Sequence, residues 1–137
     1  MSDDVLIDAG PLVALFDRSD HWHQVCAQSL QTLDGSLVTI WPVLAEASHL
    51  IRASNQAQLR LLYWVQDGTI RLAHLDRDDI PRIRELMAKY HDLPMDLADA
   101  AIVRVAERER INRIFTIDRR DFEIYRPAHI ARFRILP

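Results

Sequence analysis

The feature that most constrains this chain is a rhythm in which short apolar, β-branched runs alternate with longer stretches whose apolar residues recur every three to four positions. Val5-Leu6-Ile7 is a continuous apolar run of the kind found in strands buried on both faces. Leu37–Trp41, Thr69–Leu75, Arg113–Ile117 and Phe133–Leu136 are further candidate strands, rich in β-branched and aromatic residues or alternating in polarity. Between them, Pro11–Phe16, His21–Leu33, Pro42 to about Ala53, Gln56–Val65, Asp79–His91 and Asp96–Arg110 carry helical periodicity. Pro42 suits a first helical turn, Asp34-Gly35 and Asp67-Gly68 punctuate, and Pro94 breaks the chain before the clearest helix. Strands alternating with helices predict an α/β fold: a mostly parallel sheet of four to five short strands with helices on both faces, a three-layer arrangement.

At 137 residues without a linker, low-complexity tract or repeat, the chain is expected to form one domain over 1–137. An apolar share of 49% and a charged share of 27% exclude a disordered or fibrous protein. The one cysteine, Cys26, allows no internal disulfide and reads as a small buried hydrophobe. The start is acidic where a signal peptide would be basic, and no apolar run reaches the roughly 20 residues of a membrane span, so a cytoplasmic location is expected. A net charge of −3 argues against a uniformly basic nucleic-acid binder. Of the 17 basic residues, however, only Lys89 is lysine, and the remaining 16 are arginine, whose planar fork suits phosphate.

Ligands of open α/β sheets bind beyond the carboxyl ends of the strands, so the acids placed there carry the functional reading. Asp8 ends the first strand, Asp118 follows the RIFTI strand, Glu46 lies in the helix after LVTIW, and Asp99 sits in the first turn of its helix. Four carboxylates in one crevice repel one another unless a cation neutralises them, and an all-oxygen donor set selects Mg²⁺ or Mn²⁺ over zinc. Each acid has a plainer account: Asp96 and Asp99 as a capping box, Asp8 as a turn residue, Glu46 as a solvated helix residue, Asp118 with Asp121 as a turn-and-cap pair. Their collection on one edge is what capping alone does not require. Such a site suits metal-assisted hydrolysis of a phosphodiester.

These residues resemble a known family. Through VLIDAGPLVALFD, WPVLAEASHLI, DLPMDLADAAIVRVAER and IFTIDRRDF, in that order and across essentially its whole length, the chain resembles the PIN-domain ribonucleases, and most of all the compact VapC-type toxins of toxin-antitoxin pairs. The resemblance implies a PIN-like fold and a Mg²⁺- or Mn²⁺-dependent endoribonuclease that cuts single-stranded or looped RNA by in-line attack of water, leaving 5′-phosphate and 3′-hydroxyl ends. Carried over, the metal-site acids fall on Asp8, Glu46, Asp99 and Asp118, with Asp96 as an accessory acid and Thr116 as a hydroxyl near metal and phosphate. Gly10 departs from the pattern, since many relatives carry Ser, Thr or Asn there. The family also implies a small antitoxin whose tail covers the acidic crevice. The alternative is a catalytically silent PIN-like module that binds RNA or protein.

Setting the four proposed ligands aside moves the net charge from −3 to +1, and Arg119 and Arg120, directly after Asp118, are candidates for holding the RNA backbone. Arg104, Arg108, Arg110 and Arg113, interleaved with Glu107 and Glu109, read as a salt-bridged helix face. Trp22, Trp41 and Trp64 are expected in the core, Trp41 above all because it falls in a predicted strand. A homodimer is expected, with Leu12, Leu15, Trp22 and Val25 as its apolar patch. A phosphatase or receiver domain would need a lysine beside the acids, and Lys89 falls in a helix predicted to lie elsewhere.

Overall fold

A computed structural model describes residues 3–93 and 95–137; the predicted break at Pro94 lies outside the described residues. The strands are β1 (Val5–Ile7), β2 (Leu37–Thr39), β3 (Ile70–Leu72), β4 (Arg113–Phe115) and β5 (Arg134–Leu136). The helices are α1 (Ala9–Phe16), α2 (His23–Thr32), α3 (Trp41–Leu50), α4 (Asn55–Gln66), α5 (Ile80–Lys89), α6 (Leu97–Glu109) and α7 (Arg119–Ile124), with a 3₁₀ turn at Arg77–Asp79. All strand pairs are parallel, in the order β3-β2-β1-β4-β5.

That order positions the site. Successive crossovers carry the chain from β1 outward to β3, then α6 returns it to the other side of β1. The direction of winding therefore reverses between β1 and β4, and a crevice opens beyond their carboxyl ends. Val5, Leu6 and Ile7 are all fully buried at the centre of the sheet. Burial of each stabilises the fold by about 1.5–3 kcal/mol, so the central strand holds Asp8, the next residue, in a fixed place. Gly35, at φ 118°, turns the chain into β2 where any Cβ would collide with the Asp3 carbonyl.

Several expectations shift. β1 falls where expected while β2 to β5 are shorter than predicted, and α1 starts at Ala9, so Gly10 lies inside a helix and not in a turn. Trp41 is the first residue of α3 and 61% exposed, against its expected place in a buried strand; β2 ends at Thr39 because the helix begins one residue before Pro42. Trp22 is 40% exposed as well, whereas Trp64 packs edge-on against Phe16 at 4.8 Å. Leu12 is fully buried and Leu15 packs on the core, so the proposed dimer patch shrinks to Trp22 and Val25. Cys26 is buried as expected, and burial pushes its thiol up to about 11.

Within α6 Arg108 pairs with Glu109 at 2.9 Å, and the other ion pairs of this set run across elements. Arg104 Nε and Arg108 Nη1 donate to Asp79 Oδ1 at 2.8 and 2.9 Å, Glu107 takes Arg82 at 2.8 Å, and Arg113 reaches Asp34 at 3.1 Å. Arg110 instead ends α6 in the left-handed region, at φ 57°. Burial works against charge on Asp79, yet the Asp76 backbone N–H and the two guanidinium groups pull its carboxyl down to about 2. Asp79→Ala therefore removes the tie between α6 and the turn that opens α5, while the Arg82–Glu107 pair remains. Urea denaturation should show a loss of about 3 kcal/mol, the low end for a broken buried ion pair because both arginines keep access to water.

Candidate metal centre at the carboxyl edge of the sheet

Asp8 follows β1 and caps α1, its Oδ1 accepting from the Ala9 N–H at 2.8 Å. Thr116 lies one residue past β4 and is fully buried. Its hydroxyl donates to Asp8 Oδ2 at 3.0 Å and accepts from the Asp118 N–H at 3.0 Å, so one side chain ties the two central strand ends together. With its proton committed to Asp8, Thr116 acts as a brace between two acids.

Asp96 and Asp99 sit at the start of α6. Asp96 accepts from the Asp99 N–H at 2.8 Å, but the capping box is not completed: the Asp99 carboxylate is turned away and accepts from the buried Tyr125 hydroxyl at 2.8 Å. A cap explains Asp96 and leaves Asp99 unexplained. Together with Glu46 of α3, these acids line a cavity of about 260 Å³ whose lining is Asp8, Ala9, Gly10, Glu46, Leu50, Asp96, Asp99, Ile117, Asp118 and Asp121. All five acids predicted to hold a metal are thus brought together, and no basic side chain lines the cavity among the described residues. Lys89 is elsewhere, its Nζ 5.2 Å from the centre of the Tyr90 ring.

Asp121 was missed as a candidate site residue. It lies in the first turn of α7, a six-residue helix too short for its periodicity to show, and joins Asp99 and Asp118 in a triad whose carboxylate oxygens lie within 4.8 Å of one another. The i, i+3 spacing of Asp118 and Asp121 was the available signal.

The electrostatics are those of an uncompensated anionic site. Burial pushes Asp99 up to about 7, aided by Asp96, Asp8 and Asp118 and opposed by the Tyr125 hydroxyl. Burial and the neighbouring Asp121 push Asp118 up to about 6. Asp8 is also raised, by burial first and then by Glu46 and Asp96, against the Ala9 N–H and Thr116 bonds that favour its charge. Raised carboxyl pKa values, oxygen donors only, and an absence of lining cations fit a divalent hard cation such as Mg²⁺ or Mn²⁺.

Gly10 carries no hydroxyl into this cavity, and the space is taken: a Cβ there would stand 2.7 Å from Ile117 Cγ1. Arg119 and Arg120 are exposed at the start of α7, with Arg119 donating to the Pro137 carbonyl at 3.1 Å.

Comparison with known proteins agrees with this fold. Ribonuclease VapC26 of Mycobacterium tuberculosis (strain ATCC 25618 / H37Rv) is 32% identical over 135 residues, covering 97% of this chain and all of that protein. The crystal structure of M. tuberculosis VapC20, a sarcin-ricin loop cleaving toxin, superposes with a TM-score of 0.74 at 16% identity, over 80% of this chain and 86% of its own. A toxin-antitoxin complex from Klebsiella pneumoniae gives 0.68 at 20% identity, over 92% and 99% of the two chains. VapBC2 from Rickettsia felis, bound to a promoter DNA fragment, gives 0.66 at 13% identity over 98% and 99%. The PIN-domain family profile matches residues 5–128, and with an acid-lined crevice at the switch point of a parallel sheet, the chain belongs to the PIN-domain family.

Proposed function

We propose that this chain is a divalent-metal-dependent endoribonuclease, acting as the toxin of a VapBC-type pair. One observation carries the reading: acids from four separate segments, Asp8, Glu46, Asp96 with Asp99, and Asp118 with Asp121, line one cavity with no cation among its lining residues. The 32% identity to a ribonuclease over nearly the whole chain supports the same activity here.

Asp99, Asp118 and Asp121, with Asp8 beside them, would hold Mg²⁺ or Mn²⁺, while Glu46 and Asp96 add negative charge at the rim. When bound, the ion supplies positive charge at the scissile phosphate and lowers the pKa of water. The protein's own part is orientation. Thr116 and the Ala9 N–H fix both oxygens of Asp8, Tyr125 fixes one oxygen of Asp99, and Arg119 and Arg120 stand exposed beside Asp118 to take RNA phosphates. A small antitoxin that presents an arginine to the carboxylates would match the crevice in charge, as an Arg–carboxylate pair does elsewhere. No helix among the described residues is long and apolar enough to cross a membrane, and a cytoplasmic site of action is part of the proposal.

Purified protein incubated with structured RNA and Mg²⁺ or Mn²⁺ tests this directly. Cleavage should appear with the metal, stop with EDTA, and be lost in Asp8→Asn. Cleavage that survives in the variant would assign the activity to a contaminant or to another site.

A further inference from the structure

Among the described residues the hydroxyl of Tyr125 is the side-chain donor to the Asp99 carboxylate. Tyr125 is the residue that ends α7, the helix whose first turn supplies Asp121. Its ring is fully buried and wedged edge-on between Tyr90 and Phe122, with centroids 5.1 and 5.2 Å away, and Phe122 in turn packs on Phe133. A side chain locked this way has few rotamers left, so its O–H points in one direction. That direction is Asp99 Oδ2, at 2.8 Å.

We propose that Tyr125 is the positioning residue of the metal centre: its buried hydroxyl pins Asp99 Oδ2 and so fixes the carboxylate that offers an oxygen within 4.8 Å of those of Asp118 and Asp121. The proposal rests on the metal-dependent reading of the same cavity. Three facts carry it. The bond bridges 26 residues of sequence, so local capping does not account for it. It takes the carboxylate away from the capping box that Asp96 began. It also mirrors the other central acid, because Thr116 pins Asp8 Oδ2 with a buried hydroxyl in the same way. Asp8 and Asp99 are thus each aimed by one hydroxyl donor, the outer-shell arrangement by which ligand carboxylates are held for a metal.

The ring packing and the hydroxyl separate cleanly by substitution. Tyr125→Phe keeps the aromatic cluster and deletes one oxygen. Tyr90→Phe deletes an oxygen from the same cluster that accepts from the Arg126 N–H, at 2.8 Å. Titration of Mn²⁺ into each protein by calorimetry, with cleavage rates at increasing Mn²⁺, is the experiment. Tyr125→Phe should bind Mn²⁺ about 10- to 100-fold more weakly. Saturating Mn²⁺ should bring its kcat back toward the parent value. Tyr90→Phe should bind as the parent does.

Equal affinity in Tyr125→Phe and the parent overturns the proposal while leaving the metal site standing. So does equal weakening in both variants, which would mean a loosened cluster. An unfolded Tyr125→Phe protein overturns it too, since the hydroxyl would then serve the fold. A parent protein that binds no Mn²⁺ removes the metal reading itself, and the Tyr125 proposal with it.

Discussion

Asp99→Asn is expected to slow RNA cleavage by roughly 10³-fold and to leave the metal-free protein at least as stable as its parent at neutral pH. The loss follows from what a divalent ion contributes, several kcal/mol of charge stabilisation in phosphoryl chemistry. At about 1.4 kcal/mol per decade that is on the order of three decades of rate. The retained stability follows from the site. Burial and three nearby carboxylates oppose the charge of Asp99, so a neutral isostere relieves repulsion and still offers an oxygen to the Tyr125 hydroxyl. Single-turnover cleavage and a urea melt on the same preparation check both halves. Undiminished cleavage, or a folded state that collapses on substitution, would place Asp99 in the fold and not in the chemistry.

A second large effect is the pH dependence of metal binding. With Asp99 pushed up to about 7 and Asp118 to about 6, an incoming cation must displace protons from both below those values. Mn²⁺ affinity should therefore fall by about 10²–10³-fold from pH 8 to pH 5. The metal-free protein should behave oppositely. A carboxyl whose folded pKa is raised binds more protons in the native state than in the unfolded one, so its cost is absent below about pH 4 and grows as pH rises toward about 7. Asp79 does not confuse that window. Its carboxyl is pulled down to about 2, so its stabilisation is complete above the ordinary carboxylate range and is lost only below about pH 4. Melting curves between pH 4 and 8 should show Tm declining in EDTA, with Mn²⁺ at a hundred times its Kd restoring about 2.7 kcal/mol, roughly 10 °C. A Tm that rises from pH 4 to 7 in EDTA would contradict the repulsive site.

The parts of this structure that could be read from the sequence are those written in local pattern. A parallel strand buried on both faces leaves a continuous apolar run, and Val5-Leu6-Ile7 carried its position, burial and terminal acid together. Glu46 was readable for a similar reason, because a helix that succeeds a parallel strand starts at the carboxyl edge of the sheet, and Asp99 because α6, which leads into β4, starts at that same edge. Trp41 was misplaced because aromatic and β-branched enrichment cannot distinguish the end of a strand from the first residue of a helix. Asp79 and its two arginines meet across 25 and 29 residues, and no periodicity records such a pairing. Asp121 and Tyr125 were hidden by α7, whose six residues make fewer than two turns. The Gly10 departure became intelligible only in three dimensions, where Ile117 occupies the volume a larger side chain would need.

The proposed seat for a divalent cation is drawn from acids of both central strand ends and of the helices beyond them, and the functional reading depends on it. Anomalous diffraction from crystals soaked in Mn²⁺ at a concentration that supports cleavage tests it most directly. The predicted result is a peak between Asp8, Asp99, Asp118 and Asp121, within the roughly 2.0–2.6 Å coordination range of their oxygens. A cavity without a peak at that concentration, or an ion held on another face of the sheet, would contradict it.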